Sequence, residues 1–196
     1  MAYTQILYHI VLRTKRSEPS ITQENVSSLY KYIWGIIKNK KGKLYRINGI
    51  EDHIHILSDL HPSVALADFV KSIKVATSLW LKQSADFPAF QGWGEGYSAF
   101  TYSYKEKKVL INYIRKQQEH HKEENTQDEL KRLWRENGMD LDERYFTQFS
   151  IQPFGLCVES DFVLLPIAPL HWGLFTFSPS DFRFTTTFMG EPKTRY

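Results

Sequence analysis

Apolar and polar side chains alternate from Tyr3 to Arg13, in a stretch rich in tyrosine, isoleucine and valine. A two-residue period of this composition predicts a β-strand. From Thr22 to about Lys38 the period lengthens, and Val26, Leu29, Tyr30, Ile33 and Ile37 recur at helical spacing. Lys43 to Ile50 and His53 to Leu60 return to a strand-like pattern on either side of a Glu51-Asp52 turn, which predicts a hairpin. Ser63 to about Lys82 is helical, with Leu66, Phe69, Val70, Ile73 and Ala76 on one stripe, and Tyr97 to Tyr102 is a fourth strand. Ser103 with Glu106, and Thr126 with Glu129, have the spacing of capping boxes. The first would open a helix running to about Glu124, the second a helix stopping at Gly138.

The predicted order is β-α-β-β-α-β followed by two helices. It corresponds to an α+β fold of the split βαββαβ kind, ferredoxin- or RRM-like. Such a fold has an antiparallel sheet, crossover helices on one face and, here, additional C-terminal helices. The topology hosts unrelated functions, so function must come from particular residues.

Composition narrows the classes. With 196 residues, 42% hydrophobic and 24% charged, the chain can build a real core. No stretch approaches the roughly 18–20 apolar residues of a membrane span. The N-terminus lacks a signal-peptide layout, and one cysteine, Cys157, excludes a disulfide framework. These features lead to the expectation of a cytoplasmic protein. The net charge of +3 permits a nucleic-acid partner without requiring one. The character changes near residue 148, beyond which lie eight of the thirteen phenylalanines and few charges. The expected organisation is therefore a domain over residues 1–147 and an aromatic-rich extension of unknown role over residues 148–196.

Two constellations could carry chemistry. In Asp52-His53-Ile54-His55-Ile56-Leu57, residues two apart share a strand face, so His53 and His55 point one way and Ile54 and Ile56 the other. Two imidazoles about 7 Å apart at Cα can converge on a metal ion. An isolated His-x-His also arises as hydrogen-bonded or surface histidines beside a buried isoleucine ladder. On the later helix, Leu110, Tyr113, Ile114, Gln117 and His121 fall on one stripe that turns from apolar to polar. That stripe is equally what an amphipathic helix with a solvated end would show.

Together, Asp52-His53-Ile54-His55 on a strand and Tyr113-Ile114-Arg115-Lys116-Gln117 on a later helix resemble the single-tyrosine HUH transposases. These are small transposases of bacterial insertion sequences that move as single-stranded DNA, with relatives associated with repetitive extragenic palindromes. Tyr8-His9-Ile10-Val11 with Arg13-Thr14-Lys15, Gly96 to Phe100, His120-His121-Lys122 and Gly138-Met139 to Tyr145-Phe146 extend the likeness over residues 3–147. The resemblance implies Tyr113 as nucleophile, forming a 5′-phosphotyrosine, and His53, His55 and Gln117 as ligands of a divalent metal, Mg²⁺ or Mn²⁺. It implies a single-stranded DNA substrate with imperfect hairpins and a homodimer, with Tyr113 acting in cis or in trans. No Gly-x-x-x-x-Gly-Lys-Ser/Thr loop is present, so no nucleotide cofactor is expected.

Lys71 and Lys74 on the second helix, with Arg13 and Lys15 after the first strand, are candidate DNA contacts. A solvated surface explains such charges as well. Trp93, Tyr97, Phe100, Tyr102 and Tyr104 could stack on unpaired bases or fill a core. Two other readings compete: a noncatalytic single-stranded nucleic-acid-binding module, and a metal-dependent phosphoesterase. The histidine-triad form of the latter needs a histidine where Leu57 stands.

Overall fold

The structure is a computed structural model that describes residues 4–140. The expected boundary between residues 147 and 148, and the extension itself, lie outside the described residues. The elements are β1 (Leu7–Arg13), α1 (Val26–Asn39), β2 (Leu44–Gly49), β3 (His53–Ser58), α2 (Leu66–Gln83), β4 (Ser98–Tyr102), α3 (Lys107–Arg115), α4 (Gln117–His120) and α5 (Thr126–Glu136). Short 3₁₀ turns follow β1 and precede α3.

The four strands form one antiparallel sheet in the order β2-β3-β1-β4. This is the predicted split βαββαβ topology. The central strands are β1 and β3, with Val11 opposite His55 and Arg13 opposite His53. Alternation then divides their residues between two covered faces.

On one face Ile10, Leu12, Ile54 and Ile56 meet Leu29, Ile33 and Ile37 of α1 and Phe69, Val70 and Ile73 of α2. Burying each such side chain contributes about 1.5–3 kcal/mol, so this layer is the main source of stability. The opposite face is covered by the later helices. Leu130, Leu133 and Trp134 of α5 pack on Val11 and Phe100. Leu110 and Ile114 of α3 pack on Leu7 and Leu57. His9 stands between Leu7 and Val11 along this face of β1, and His53 and His55 precede Leu57 on β3. The histidines are thus sealed beneath α3 and α5, and all three are fully buried.

Two helical expectations change. The helix predicted from Ser103 to Glu124 is broken at Lys116, where the backbone leaves helical geometry (φ −94°, ψ 13°). The physical reason lies on β2. The Asn48 side-chain amide donates to the carbonyl oxygens of Ile114 (3.0 Å) and Arg115 (3.1 Å), claiming acceptors that a continuing helix would use. At the start of that segment the Glu106 carboxylate does accept from the Ser103 backbone N–H, at 2.9 Å. The cap of α5 is one residue earlier than predicted. Asn125 Oδ1 accepts from the Asp128 N–H at 2.9 Å, which frees Glu129 from any capping role.

Candidate active site

Strand alternation sets His53 and His55 side by side on β3, with ring centroids 4.8 Å apart. The Asn48 anchor fixes the end of α3, and Tyr113 there stands with its ring 6.1 Å from those of both His55 and His9. The break at Lys116 restarts the chain as α4, whose Gln117 is buried in the same cluster. Tyr113, His53, His55 and Gln117 are therefore brought together within one chain.

At the centre of the cluster is Glu129 of α5, fully buried. Tyr113 donates its phenol proton to Glu129 Oε1, and Gln117 Nε2 donates to the same oxygen at 2.9 Å. The other oxygen, Oε2, lies 3.3 Å from His53 Nε2, 3.4 Å from His55 Nε2 and 3.0 Å from His121 Nε2. A carboxylate without water survives burial only when cationic or hydrogen-bonding groups surround it. Burial pushes its pKa up, but His55, His121 and His53 outweigh that and hold Glu129 ionised.

The surrounding groups orient the rings. His53 Nδ1 is 2.7 Å from Asp52 Oδ1, and Asp52 Oδ2 accepts from Thr126 Oγ1 at 2.7 Å. Burial opposes the charge on His53, yet the Asp52 and Glu129 carboxylates raise its pKa to about 9. His55 is instead lowered, chiefly by burial, against the attraction of Glu129. Its Nδ1 lies 2.8 Å from Nε2 of His9, which burial and His55 keep well below the ordinary imidazole value. Tyr113 is pushed above the ordinary phenol range by burial and then by the adjacent Glu129 charge. Arg132 acts in the opposite sense, with Nη2 3.2 Å from the phenol oxygen.

The donor set fits a divalent ion. His53 Nε2, His55 Nε2 and Gln117 Oε1 are buried without a hydrogen-bond partner. Buried polar atoms are rarely left so. One ligand atom each from His53, His55, His121 and Glu129 lies within 4.8 Å of the others.

His121, Glu129, His9 and Arg132 were missed as site residues from the sequence. His121 lay on the polar stripe of Tyr113 and Gln117, a signal that could have found it. Glu129 carried none, because its spacing from Thr126 imitates a cap.

The candidate DNA contacts divide. Lys71 and Lys15 are exposed. Lys15, Arg16, Lys74, Ser78, Lys82 and Trp93 line an open groove of about 640 Å³. Lys74 is half-buried and donates to the carbonyls of Gly94 (2.7 Å) and Gly96 (2.8 Å), so it braces the loop before β4. Arg13 is buried and reaches Ser17 Oγ at 3.4 Å. Of the aromatic candidates, Phe100 belongs to the core, Trp93 donates to Thr77 Oγ1 at 2.8 Å, and Tyr102 accepts from Asn137 at 3.1 Å. Tyr104 is exposed, and Tyr97 is partly buried against the α1–α2 layer. Among the described residues no helix is long and apolar enough to cross a membrane.

Among solved structures, a candidate transposase from Deinococcus radiodurans R1 is 24% identical, covering 60% of this chain and 95% of its own, with a TM-score of 0.45. A REP-associated tyrosine transposase, solved bound to a REP hairpin, is 10% identical, covering 62% and 74%, with a TM-score of 0.47. No curated protein matches the chain significantly. The family described as "Transposase IS200 like" matches residues 2–117. That span is more than half of the 196 residues and contains β1 to β4, His53, His55, Tyr113 and Gln117, and the chain belongs to the IS200-like transposase family.

Proposed function

We propose that this protein cleaves and rejoins single-stranded DNA at hairpin-marked ends, with Tyr113 as nucleophile and a divalent ion, Mg²⁺ or Mn²⁺, held by His53, His55 and Gln117. The observation that carries this reading is the convergence of the Tyr113 phenol with two imidazole nitrogens and an amide oxygen that have no hydrogen-bond partner. A bound ion would supply Lewis-acid stabilisation of charge on the scissile phosphate and leaving oxygen.

The chain's own groups do the rest. The Tyr113 hydroxyl passes its proton to Glu129 Oε1, to which it is hydrogen-bonded, and its oxygen attacks phosphorus. A tyrosine–phosphorus ester forms, the bond to the 3′-oxygen breaks, and that oxygen leaves as a free 3′-hydroxyl. A second 3′-hydroxyl reverses the displacement on another strand, so the covalent intermediate conserves bond energy without ATP. Arg132 lowers the cost of negative charge on the phenol oxygen. Asp52 and Thr126 hold the His53 ring in place, as outer partners of metal-ligating histidines do.

Lys15 and Lys71 are proposed to bind DNA phosphates through their exposed ammonium groups. Lys74 and Arg13 are proposed to shape that surface. A homodimer in the cytoplasm completes the reading, with Tyr113 acting on the histidines of its own chain.

The test is incubation of the full chain with short single-stranded hairpin DNAs and Mn²⁺ or Mg²⁺. A metal-dependent covalent adduct that disappears in Tyr113→Phe is expected. Cleavage without an adduct would favour the phosphoesterase reading, and tight binding with neither would favour the binding module.

A further inference from the structure

Three imidazole nitrogens converge on one carboxylate oxygen, and the way each ring is held explains what that convergence is for. The Nδ1 of His121 is 2.8 Å from the backbone carbonyl oxygen of Glu124. A carbonyl only accepts, so Nδ1 donates there, and the ring turns its Nε2 toward Glu129 Oε2, 3.0 Å away. His53 repeats the pattern with Asp52 as acceptor, and its Nε2 also faces Glu129. Rings held from behind by acceptors, each with Nε2 on the same carboxylate oxygen, present a set of ligand atoms able to enclose a cation.

The ligand atoms are close enough to share one ion, all lying within 4.8 Å of one another. Ligands about 2.0–2.1 Å from a four-coordinate ion stand about 3.3–3.4 Å from one another. The three nitrogen-to-Oε2 separations are 3.3, 3.4 and 3.0 Å. A carboxylate–histidine pair and a carbonyl–histidine pair are the outer arrangements that fix metal-ligating rings. Gln117 Nε2 and the Tyr113 hydroxyl both occupy Oε1, leaving Oε2 for coordination.

We infer that His121 and Glu129 are ligands of the divalent ion, so that the centre is formed by His53, His55, His121 and Glu129, with Gln117 able to add its Oε1. The inference rests on the proposed metal centre at His53 and His55 and extends it. Its chemical consequence would be a carboxylate that offsets one unit of the ion's charge through Oε2 while Oε1 holds the Tyr113 hydroxyl. A set of three imidazoles and one carboxylate suits Zn²⁺ and Mn²⁺ better than Mg²⁺, which favours oxygen and water.

Calorimetric titration of the chelator-treated full chain with Mn²⁺ and with Zn²⁺, in the absence of DNA, tests this. The parent should bind one ion, and Glu129→Gln and His121→Ala should each weaken binding at least tenfold. Far-ultraviolet circular dichroism in chelator establishes that each variant is folded, and the rise of Tm on adding the ion gives a second readout. That rise should be large in the parent and mostly lost in either variant. If one variant fails to fold, the other decides. Undiminished affinity in a folded variant, with affinity lost in His53→Ala, would overturn the inference and leave the His53–His55 centre standing. A parent chain that binds neither ion would overturn the inference, and failure to bind Mg²⁺ as well would overturn the His53–His55 centre with it.

Discussion

Nε2 of His9 on β1 lies 2.8 Å from Nδ1 of His55 on the neighbouring β3, with the two rings stacked at a centroid distance of 5.0 Å. If His55 offers Nε2 to an ion, its Nδ1 carries the proton and donates to His9. His9 must then be neutral, which is the direction in which burial and His55 drive it. His9→Ala removes this acceptor together with the ring contacts of His9 to His55 and Tyr113. Outer partners of metal-ligating histidines are worth about 10–100-fold in metal affinity. A loss of that size is expected in a Mn²⁺ titration, with the protein still folded in chelator. Unchanged affinity would mean that His9 only fills space.

Arg132 should act on the chemical step. Its guanidinium contacts the Tyr113 oxygen, Glu124 (2.9 Å) and Glu136 (3.1 Å), and stays about one-third exposed. Arg132→Ala should slow adduct formation by about tenfold or more, short of the roughly hundredfold effect of a fully buried donor. Hairpin-DNA affinity should hardly change, and Arg132→Lys should recover part of the rate. An equal fall in affinity and rate would instead mark Arg132 as a DNA contact.

The basic residues should separate by experiment. Lys15→Ala should weaken DNA binding and lower the slope of log affinity against log salt by about 1. Lys74→Ala loses two charge-assisted hydrogen bonds to the Gly94 and Gly96 carbonyls. It should cost about 1.5–3 kcal/mol of stability, seen as an earlier denaturant midpoint. A Lys74→Ala protein with unchanged stability and a reduced salt slope would reverse its assignment.

Gly49 tests the hairpin that carries the histidines. It closes β2 opposite Ile54, and a Cβ there would press on the carbonyl oxygen of His53 and lie 2.8 Å from the Ile54 Cα. Because the obstacles are backbone atoms, Gly49→Ala should cost about 1–3 kcal/mol. Metal affinity should fall with it, since His53 moves with its own carbonyl. A melting temperature equal to the parent's would show that the turn yields freely.

The periodicity of the chain determined the four strands, the two crossover helices and the shared face of His53 and His55. These depend on which side of a strand or helix a residue occupies, a property local in sequence. The four-residue spacing of Tyr113 and Gln117 made a shared stripe legible, although the helix breaks between them at Lys116. The tertiary structure decided what meets that face. Glu129 looked like a capping residue until Asn125 took the cap, and only the packing of α5 on Val11 and Phe100 carries its carboxylate into the histidines. Asn48 had no sequence signal at all, yet its bonds to the Ile114 and Arg115 carbonyls break the helix and turn Gln117 and His121 inward. Such contacts join residues 66 or more positions apart, and no local pattern encodes which distant carbonyl a side-chain amide will find.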